Sequence, residues 1–336
     1  MKKWVVLITT LLLISTFFVG CTQESENKVL NVYHAGSLSI PFDEMEKKFE
    51  EEHSNVDVRL EGAGSVATVR KVTDQGKTPD IVAVADYSLI SDFMYDNDKA
   101  DWTVRFANNR MVIAYTEQSN HKDMVNEENW YEILNKHDVK FGFSNPNDDP
   151  CGYRSQMVTL LAENHYSNDT IYDALIESNT AIIAEGNHII VPEDLEVNTD
   201  KIMVRSAEVD LMSALEAGEI DYLFIYQSVA EQHEGVKYTQ LPEEIDLSSV
   251  NHTSNYNRVT LTRASGEKAQ GKPIVYGITI PNTVKNKEIA IEFMKMLLEE
   301  EGQNVMESMG QPPIVPAQTD NKNAIPDDLK NLVEES

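Results

Sequence analysis

Residues 32–49, VYHAGSLSIPFDEMEKKF, decide how the chain is read. A short β-type run ends in Gly36-Ser37-Leu38-Ser39, and a helical pattern begins at once, with Phe42, Met45 and Phe49 recurring on one face. Pro41 suits a first helical position, and Asp43 and Glu44 suit the positive end of the helix dipole. A strand, a small hydroxyl-bearing turn and a helix start together form an anion site. Unpaired N–H groups point out of the helix, and Ser37 or Ser39 adds a hydroxyl donor. Either serine can also be an ordinary helix cap, so other stretches must decide.

Outward from this stretch the chain alternates. Residues 30–33 read as a strand, 41–51 as a helix, and 56–61 as a strand with alternating apolar residues. A second helix starts at Ser65, carries Val66, Val69 and Val72 on one face, and is stopped by Gly76. Residues 81–84, IVAV, form a continuous apolar run, the mark of a strand buried on both faces. This alternation predicts an α/β fold with a parallel sheet and helices on both sides. Later strands are predicted at 111–115, 139–143, 220–226 and 274–280, and a helix at 153–161 with Met157, Leu160 and Leu161 on one face. A helix over 206–216 has Ser206 as its cap, Leu211, Met212 and Leu215 inward, and Gly218 as its stop. Ile289, Phe293, Met296 and Leu297 form the apolar face of a long helix. No Pro- or Gly-rich linker divides the chain, so two domains would be joined by ordered crossings near 106–110 and 272–276.

With 336 residues, 41% hydrophobic and 25% charged, the chain can bury a large core and reads as a globular protein of two domains. Its formal charge of −28 excludes nucleic acid and anionic membrane surfaces as partners, since both need a cationic face. Lys2 and Lys3 precede an apolar run over 4–19 that is too short for a membrane span. The run ends in Phe18-Val19-Gly20-Cys21, which resembles the lipobox of bacterial lipoproteins. That resemblance implies a signal peptide over 1–20, cleavage before Cys21, a lipid anchor on Cys21 and a polar tether over 21–28. An ordinary signal peptide or a signal anchor is the alternative. The remaining cysteine, Cys151, excludes a disulfide scaffold and a Cys-rich metal site.

Three further stretches have the character of the first. Gly62-Ala63-Gly64-Ser65 precedes the second helix, so Ser65 can offer both N–H and hydroxyl. Residues 145–153, NPNDDPCGY, lie between a strand and a helix start and supply N–H groups at Cys151 and Gly152. Ala207-Glu208-Val209 opens the helix capped by Ser206. Any one of them is a routine capped turn, but together they fall at the strand edge where open α/β sheets bind ligands.

At these residues a family resemblance becomes specific. HAGSLSIPFDEMEKKFE, GAGSVATVRKV, NPNDDPCGYRSQM and EAGEIDYLFIYQSVAEQH resemble the blocks of the molybdate/tungstate-binding proteins of ABC importers, in their archaeal-type ModA/WtpA branch. The likeness runs from Leu30 to about Pro316. It implies a type II periplasmic-binding-protein fold, with two α/β lobes closing over an oxyanion: 29–108 plus 273–336, and 109–272. It also implies that Ser37 and Ser65 come from the first lobe, leaving Ser39 as the helix cap. From the second lobe come the backbone N–H groups of Cys151 and Val209 and the Tyr226 hydroxyl. Asp149, or Asp148 in its place, matches a carboxylate that approaches the metal of the oxyanion. One departure stands out: the branch often has a glutamate just before the tyrosine of the last block, and here that residue is Ile225. Since isoleucine cannot ligate a metal, a tetrahedral oxyanion held by hydrogen bonds is the expectation. The implied function is an extracytoplasmic, lipid-anchored solute-binding lipoprotein of the cell membrane, a monomer that delivers molybdate or tungstate to an ABC permease and ATPase. No cofactor is implied beyond that ligand.

The acidic charge does not veto an anion. Neutral N–H and O–H donors satisfy its oxygens without a lysine or arginine, and net charge is screened within about 8 Å at physiological salt. Neutral donors also disfavour a protonated phosphate, which would set donor against donor. Sulfate or another oxyanion is an alternative cargo. An exported hydrolase using Cys151 as thiolate is the remote alternative, and no histidine lies in a recognisable pairing block to serve it. His34 beside the first turn reads as structural. The Asp148-Asp149 pair lacks the alternating oxygens of an EF-hand. Arg154 and Arg205 read as partners of surface acids.

Overall fold

The computed structural model describes residues 28–335; the expected signal peptide, the Cys21 anchor and nearly all of the tether lie outside them. Strand β1 (Lys28–Ala35) leads through a tight turn at 36–38 into helix α1 (Ser39–Glu52). Pro41, Phe42, Met45 and Phe49 are its buried residues, the period seen in the sequence. Phe42 and Phe49 pack edge-on against Phe293, at 6.0 and 5.3 Å between ring centroids, which ties α1 to the helix Lys287–Leu298. Ser39 is the first residue of α1 rather than its cap; Leu38 holds the cap position, and no side chain closes it.

Two larger sheets and one small one carry the fold. The first has seven strands. From one edge it runs Val333–Glu335, Pro313–Thr319, β4 (Val104–Asn109), Ile274–Thr279, β3 (Ile81–Val84), β1 and β2 (Val56–Ala63). Only part of it is parallel: β1 pairs in parallel with β2 and β3, whereas Ile274–Thr279 runs antiparallel to both β3 and β4. The expected all-parallel sheet is therefore mixed, because a strand returning late in the chain inserts between two early ones. The second sheet orders Lys237–Gln240, β5 (Met111–Tyr115), Tyr222–Tyr226, β6 (Phe141–Ser144) and Ile202–Arg205. The small sheet joins Lys268–Gln270, Thr260–Thr262, His188–Ile190 and Ile183–Glu185.

The body built on the seven-stranded sheet is the first lobe, and the body built on the other two sheets is the second. Between β4 and β5 the chain passes from one to the other through Arg110 alone, and it returns between Gln270 and Ile274. Helix α2 (Ser65–Thr73) buries Val66, Val69 and Val72, and Gly76 beyond it adopts φ +65°, a conformation open to glycine. The helix Pro150–Tyr166 is longer at both ends than predicted and is buried through most of its length. The predicted helix over 206–216 is instead a tight turn, Glu208–Leu211, followed by the short helix Met212–Glu216. Ala207 precedes the turn, and Ser206 is exposed and caps nothing. No helix among the described residues is long and apolar enough to cross a membrane.

Candidate functional site

The starts of four elements converge between the lobes. Ser37, on the turn after β1, is buried, and its Oγ accepts a hydrogen bond from the Tyr276 hydroxyl at 3.0 Å. Its carbonyl accepts from Gln311 Nε2 at 2.7 Å. Ser65, the first residue of α2, is fully buried, and its Oγ accepts from the Ala85 N–H at 2.9 Å. The next two N–H groups of α2, from Val66 and Ala67, donate across the cleft to the Asp148 carbonyl at 3.1 and 3.3 Å. The orphan donors of a first-lobe helix are thus met by the second lobe.

From the second lobe, Asp149 is the N-cap of the helix Pro150–Tyr166 and is 2% exposed. One carboxylate oxygen accepts the Cys151 N–H at 3.3 Å, and the other accepts the Glu208 N–H at 3.1 Å. Proline at N1 lacks an N–H, so Cys151 offers the first one that the cap can take. Val209 sits at the second position of the turn Glu208–Leu211, where a helix start leaves its N–H without an intrahelical acceptor. Tyr226 ends an entirely buried strand, and its hydroxyl accepts from Arg154 Nη1 at 2.7 Å. The same nitrogen donates to the Ala85 carbonyl at 2.8 Å, and Ala85 in turn backs Ser65. Through Ala85 and Arg154 these contacts connect Ser65 with Tyr226, and Asp149 connects Cys151 with the turn that carries Val209; Ser37 lies on the turn whose Gly36 packs on Val209.

Two glycines allow the approach. A Cβ on Gly36 would stand 3.0 Å from Val209 Cγ2 and 3.3 Å from Glu208 Oε2. On Gly64 it would stand 2.5 Å from the Asp148 carbonyl oxygen. The first turn therefore lies directly on Glu208, which the sequence reading treated only as part of a helix start. Glu208 is 1% exposed, and neither carboxylate oxygen meets a donor in hydrogen-bonding geometry. Burial, reinforced by the neighbouring charge of Asp149, pushes the Glu208 carboxyl well up; burial raises Asp149 too. Ile225, expected to leave the site without a second carboxylate, is fully buried in the core, and a second buried carboxyl, that of Glu208, lies beside Asp149.

Arg154 also departs from its expected surface role. It is 2% exposed and lies between Tyr226, Ala85 and Asp86. Asp86 accepts from the Tyr153 hydroxyl at 2.7 Å and pairs with Lys272 at 2.9 Å. Burial opposes the Asp86 charge, but Lys272 and Arg154 outweigh it and hold this carboxyl below its ordinary range. Arg205 is exposed and donates to the Val204 carbonyl. His34 is buried, with Nδ1 2.8 Å from the Ala35 carbonyl and its ring against Phe42. Burial, then Asp149 and Glu208, push the Cys151 thiol well up, the opposite of what a thiolate nucleophile needs. Asp148 turns its side chain to Asn145 and offers the cleft its carbonyl. No group of three or more His, Cys, Asp or Glu residues suited to a bare metal ion occurs among the described residues.

Comparison with known proteins gives the family and the fold. The family described as bacterial extracellular solute-binding protein matches residues 30–311. An uncharacterized solute-binding protein of Methanococcus maripaludis is 46% identical, over 94% of this chain and 98% of its own. The molybdate/tungstate-binding protein WtpA of Thermococcus kodakarensis is 44% identical, over 99% of this chain and 98% of its own. Among solved structures, the periplasmic molybdate-binding protein of Azotobacter vinelandii aligns with a TM-score of 0.57 at 13% identity, over 84% of this chain and 98% of its own. The sulfate-binding protein SubI of Mycobacterium tuberculosis aligns with a TM-score of 0.60 at 12% identity, over 85% of this chain and 87% of its own. At such identities the two structures speak for the periplasmic-binding-protein fold alone.

Proposed function

The chain belongs to the bacterial extracellular solute-binding protein family, and on that premise we propose that it captures molybdate or tungstate outside the cytoplasm and delivers it to an ABC permease and its ATPase. Proteins of this family bind solutes and are not enzymes. In this reading Cys21 carries a lipid anchor, and lobes 29–108 plus 273–336 and 109–272 close over the ion. Ser37, Ser65 and Tyr226 give hydroxyl donors, and Cys151 and Val209 give backbone donors.

The observation that carries the reading is the buried pair Asp149 and Glu208 beside these neutral donors. Two carboxylates are a poor lining for an ion that only accepts hydrogen bonds, because like charges buried together repel strongly. They suit an oxyanion whose central atom can accept further oxygen ligands. Molybdenum and tungsten in their highest oxidation state expand from tetrahedral to sixfold coordination; the sulfur of sulfate and the phosphorus of phosphate do not do so in water. Asp149 and Glu208 can then bind the ion's metal while the hydroxyl and N–H groups hold its oxygens. The high identity to relatives named for molybdate and tungstate supports the same cargo.

The test is retention. Protein dialysed against equal molybdate, tungstate, sulfate and phosphate, then desalted, is expected to keep about one molybdenum or tungsten per chain by elemental analysis. Retention of sulfate or phosphate alone, released by denaturation and read by ion chromatography, contradicts the assignment.

A further inference from the structure

We propose that Tyr276 and Asn109, which lie behind the site, are positioning residues that fix the Ser37 hydroxyl as a donor into it, and that Arg154 does the same for Tyr226. In this way these hydroxyls disfavour a protonated oxygen of the ion. The inference rests on the proposed role of Ser37 and Tyr226 as ligands.

A serine or tyrosine hydroxyl has one hydrogen to give and lone pairs to receive, so its direction is set by whichever neighbour cannot reverse. For Ser37 the irreversible neighbour is reached through Tyr276 and Asn109. Asn109 Oδ1 accepts the Arg110 backbone N–H at 2.9 Å, and an N–H can only donate. That fixes the amide, whose orientation would otherwise be ambiguous, with its NH₂ on the other side. The NH₂ group donates to Ser228 Oγ at 2.7 Å and to the Tyr276 hydroxyl at 2.8 Å, which uses both hydrogens. Tyr276 has its oxygen engaged by Asn109 and passes its own hydrogen to Ser37 Oγ at 3.0 Å. The Ser37 hydrogen is then left for the site, where the first turn packs on the turn carrying Glu208.

The other two hydroxyls are backed in the same sense. Arg154 has donors and no acceptor, so the Tyr226 oxygen receives and its hydrogen faces away from the guanidinium. The Ala85 N–H likewise makes Ser65 Oγ an acceptor from behind. An oxyanion oxygen that carries a proton would meet hydrogen with hydrogen at any of these places.

Asn109 closes β4, beside the chain's single-residue crossing at Arg110, and Tyr276 lies on the strand that pairs with β4. Nothing in their local sequence marks them. Ser37 and Tyr276 are 239 positions apart, and the relay exists only once the late strand has inserted into the first sheet.

The test is calorimetry at neutral pH on the full mature chain with tungstate, sulfate and hydrogen phosphate, for the wild type, Tyr276→Phe and Asn109→Asp. Tyr276→Phe frees the Ser37 hydroxyl to rotate. Its tungstate affinity is expected to fall about three- to tenfold, the worth of one hydrogen bond, with a smaller fall or a gain for hydrogen phosphate. Asn109→Asp replaces the NH₂ with an acceptor and so reverses the relay, which is expected to narrow the tungstate-to-phosphate ratio further. Ligand-free melting of Tyr276→Phe separates this role from a structural one. An equal loss for all ions, or an unchanged ratio in both variants, overturns the proposal. If the wild type prefers sulfate to tungstate, the cargo assignment fails, while the relay is still read from the sulfate-to-hydrogen phosphate ratio in the same variants.

Discussion

The Val66 N–H of the first lobe donates to the Asp148 carbonyl of the second at 3.1 Å, and Gly64 is what lets the two backbones come so close. Gly64 itself has φ −56° and ψ 138°, which any residue adopts. Alanine there is expected to leave the ligand-free protein folded and melting near the wild-type temperature. Its Cβ, 2.5 Å from the Asp148 oxygen, props the cleft open. Affinity for the cargo should fall at least about a hundredfold, roughly 3 kcal/mol, and small-angle scattering with ligand should show the larger radius of an open form.

Removing a ligating carboxylate should separate function from stability. Glu208→Gln replaces a carboxyl that burial and Asp149 already push toward its neutral form, so the ligand-free protein is expected to melt at or above the wild-type temperature at neutral pH. Its tungstate affinity is expected to fall about 10- to 100-fold, the loss of a charge-assisted contact. A variant that melts lower and binds as well would show that Glu208 is part of the scaffold.

Cys151 contributes its main chain. Its thiol donates weakly to the Phe224 carbonyl at 3.7 Å and is fully buried. Cys151→Ala should keep the affinity within about threefold while costing roughly 1 kcal/mol of stability for the small cavity. In the wild type, a thiol reagent is expected to leave Cys151 unmodified until the protein unfolds, in keeping with its raised pKa.

Asp86 predicts an acid limb. Its folded-state pKa is depressed below the ordinary 3.8, so the stability it contributes is complete above about pH 4 and is lost as pH falls through the folded value. Urea midpoints measured from pH 5 down to pH 2 should fall less steeply in Asp86→Asn than in wild type. At pH 7 that variant should lose roughly 3 kcal/mol, because Arg154 and Lys272 are left without their counter-charge.

Periodicity placed α1, since Phe42 and Phe49 pack on Phe293 and Met45 is buried on the same helix. It also placed β3 and β5, whose continuous apolar runs fit only a buried strand. It did not reveal the mixed direction of the first sheet, because Ile274–Thr279 reads the same whichever way it runs beside β3. Ser39 and Ser206 fit the capping preference, yet each start is closed without a side chain, since a tight turn rather than an extended residue leads into the helix. Glu208 escaped notice because an acid at a helix start is ordinary in a chain with 56 of them. Only burial against Gly36 and Asp149 distinguishes it. Arg154 escaped for the converse reason: surface acids are the commonest partners of an arginine, and its place behind Tyr226 follows from the meeting of two distant elements.

Calorimetric titration of the purified mature protein with molybdate, tungstate, sulfate and phosphate under identical conditions tests the central claim most directly. The account predicts tight binding of molybdate and tungstate at one ion per chain, with sulfate and phosphate weaker by at least about a hundredfold, some 3 kcal/mol. A preference for sulfate or phosphate, or equal binding of all four, would contradict it.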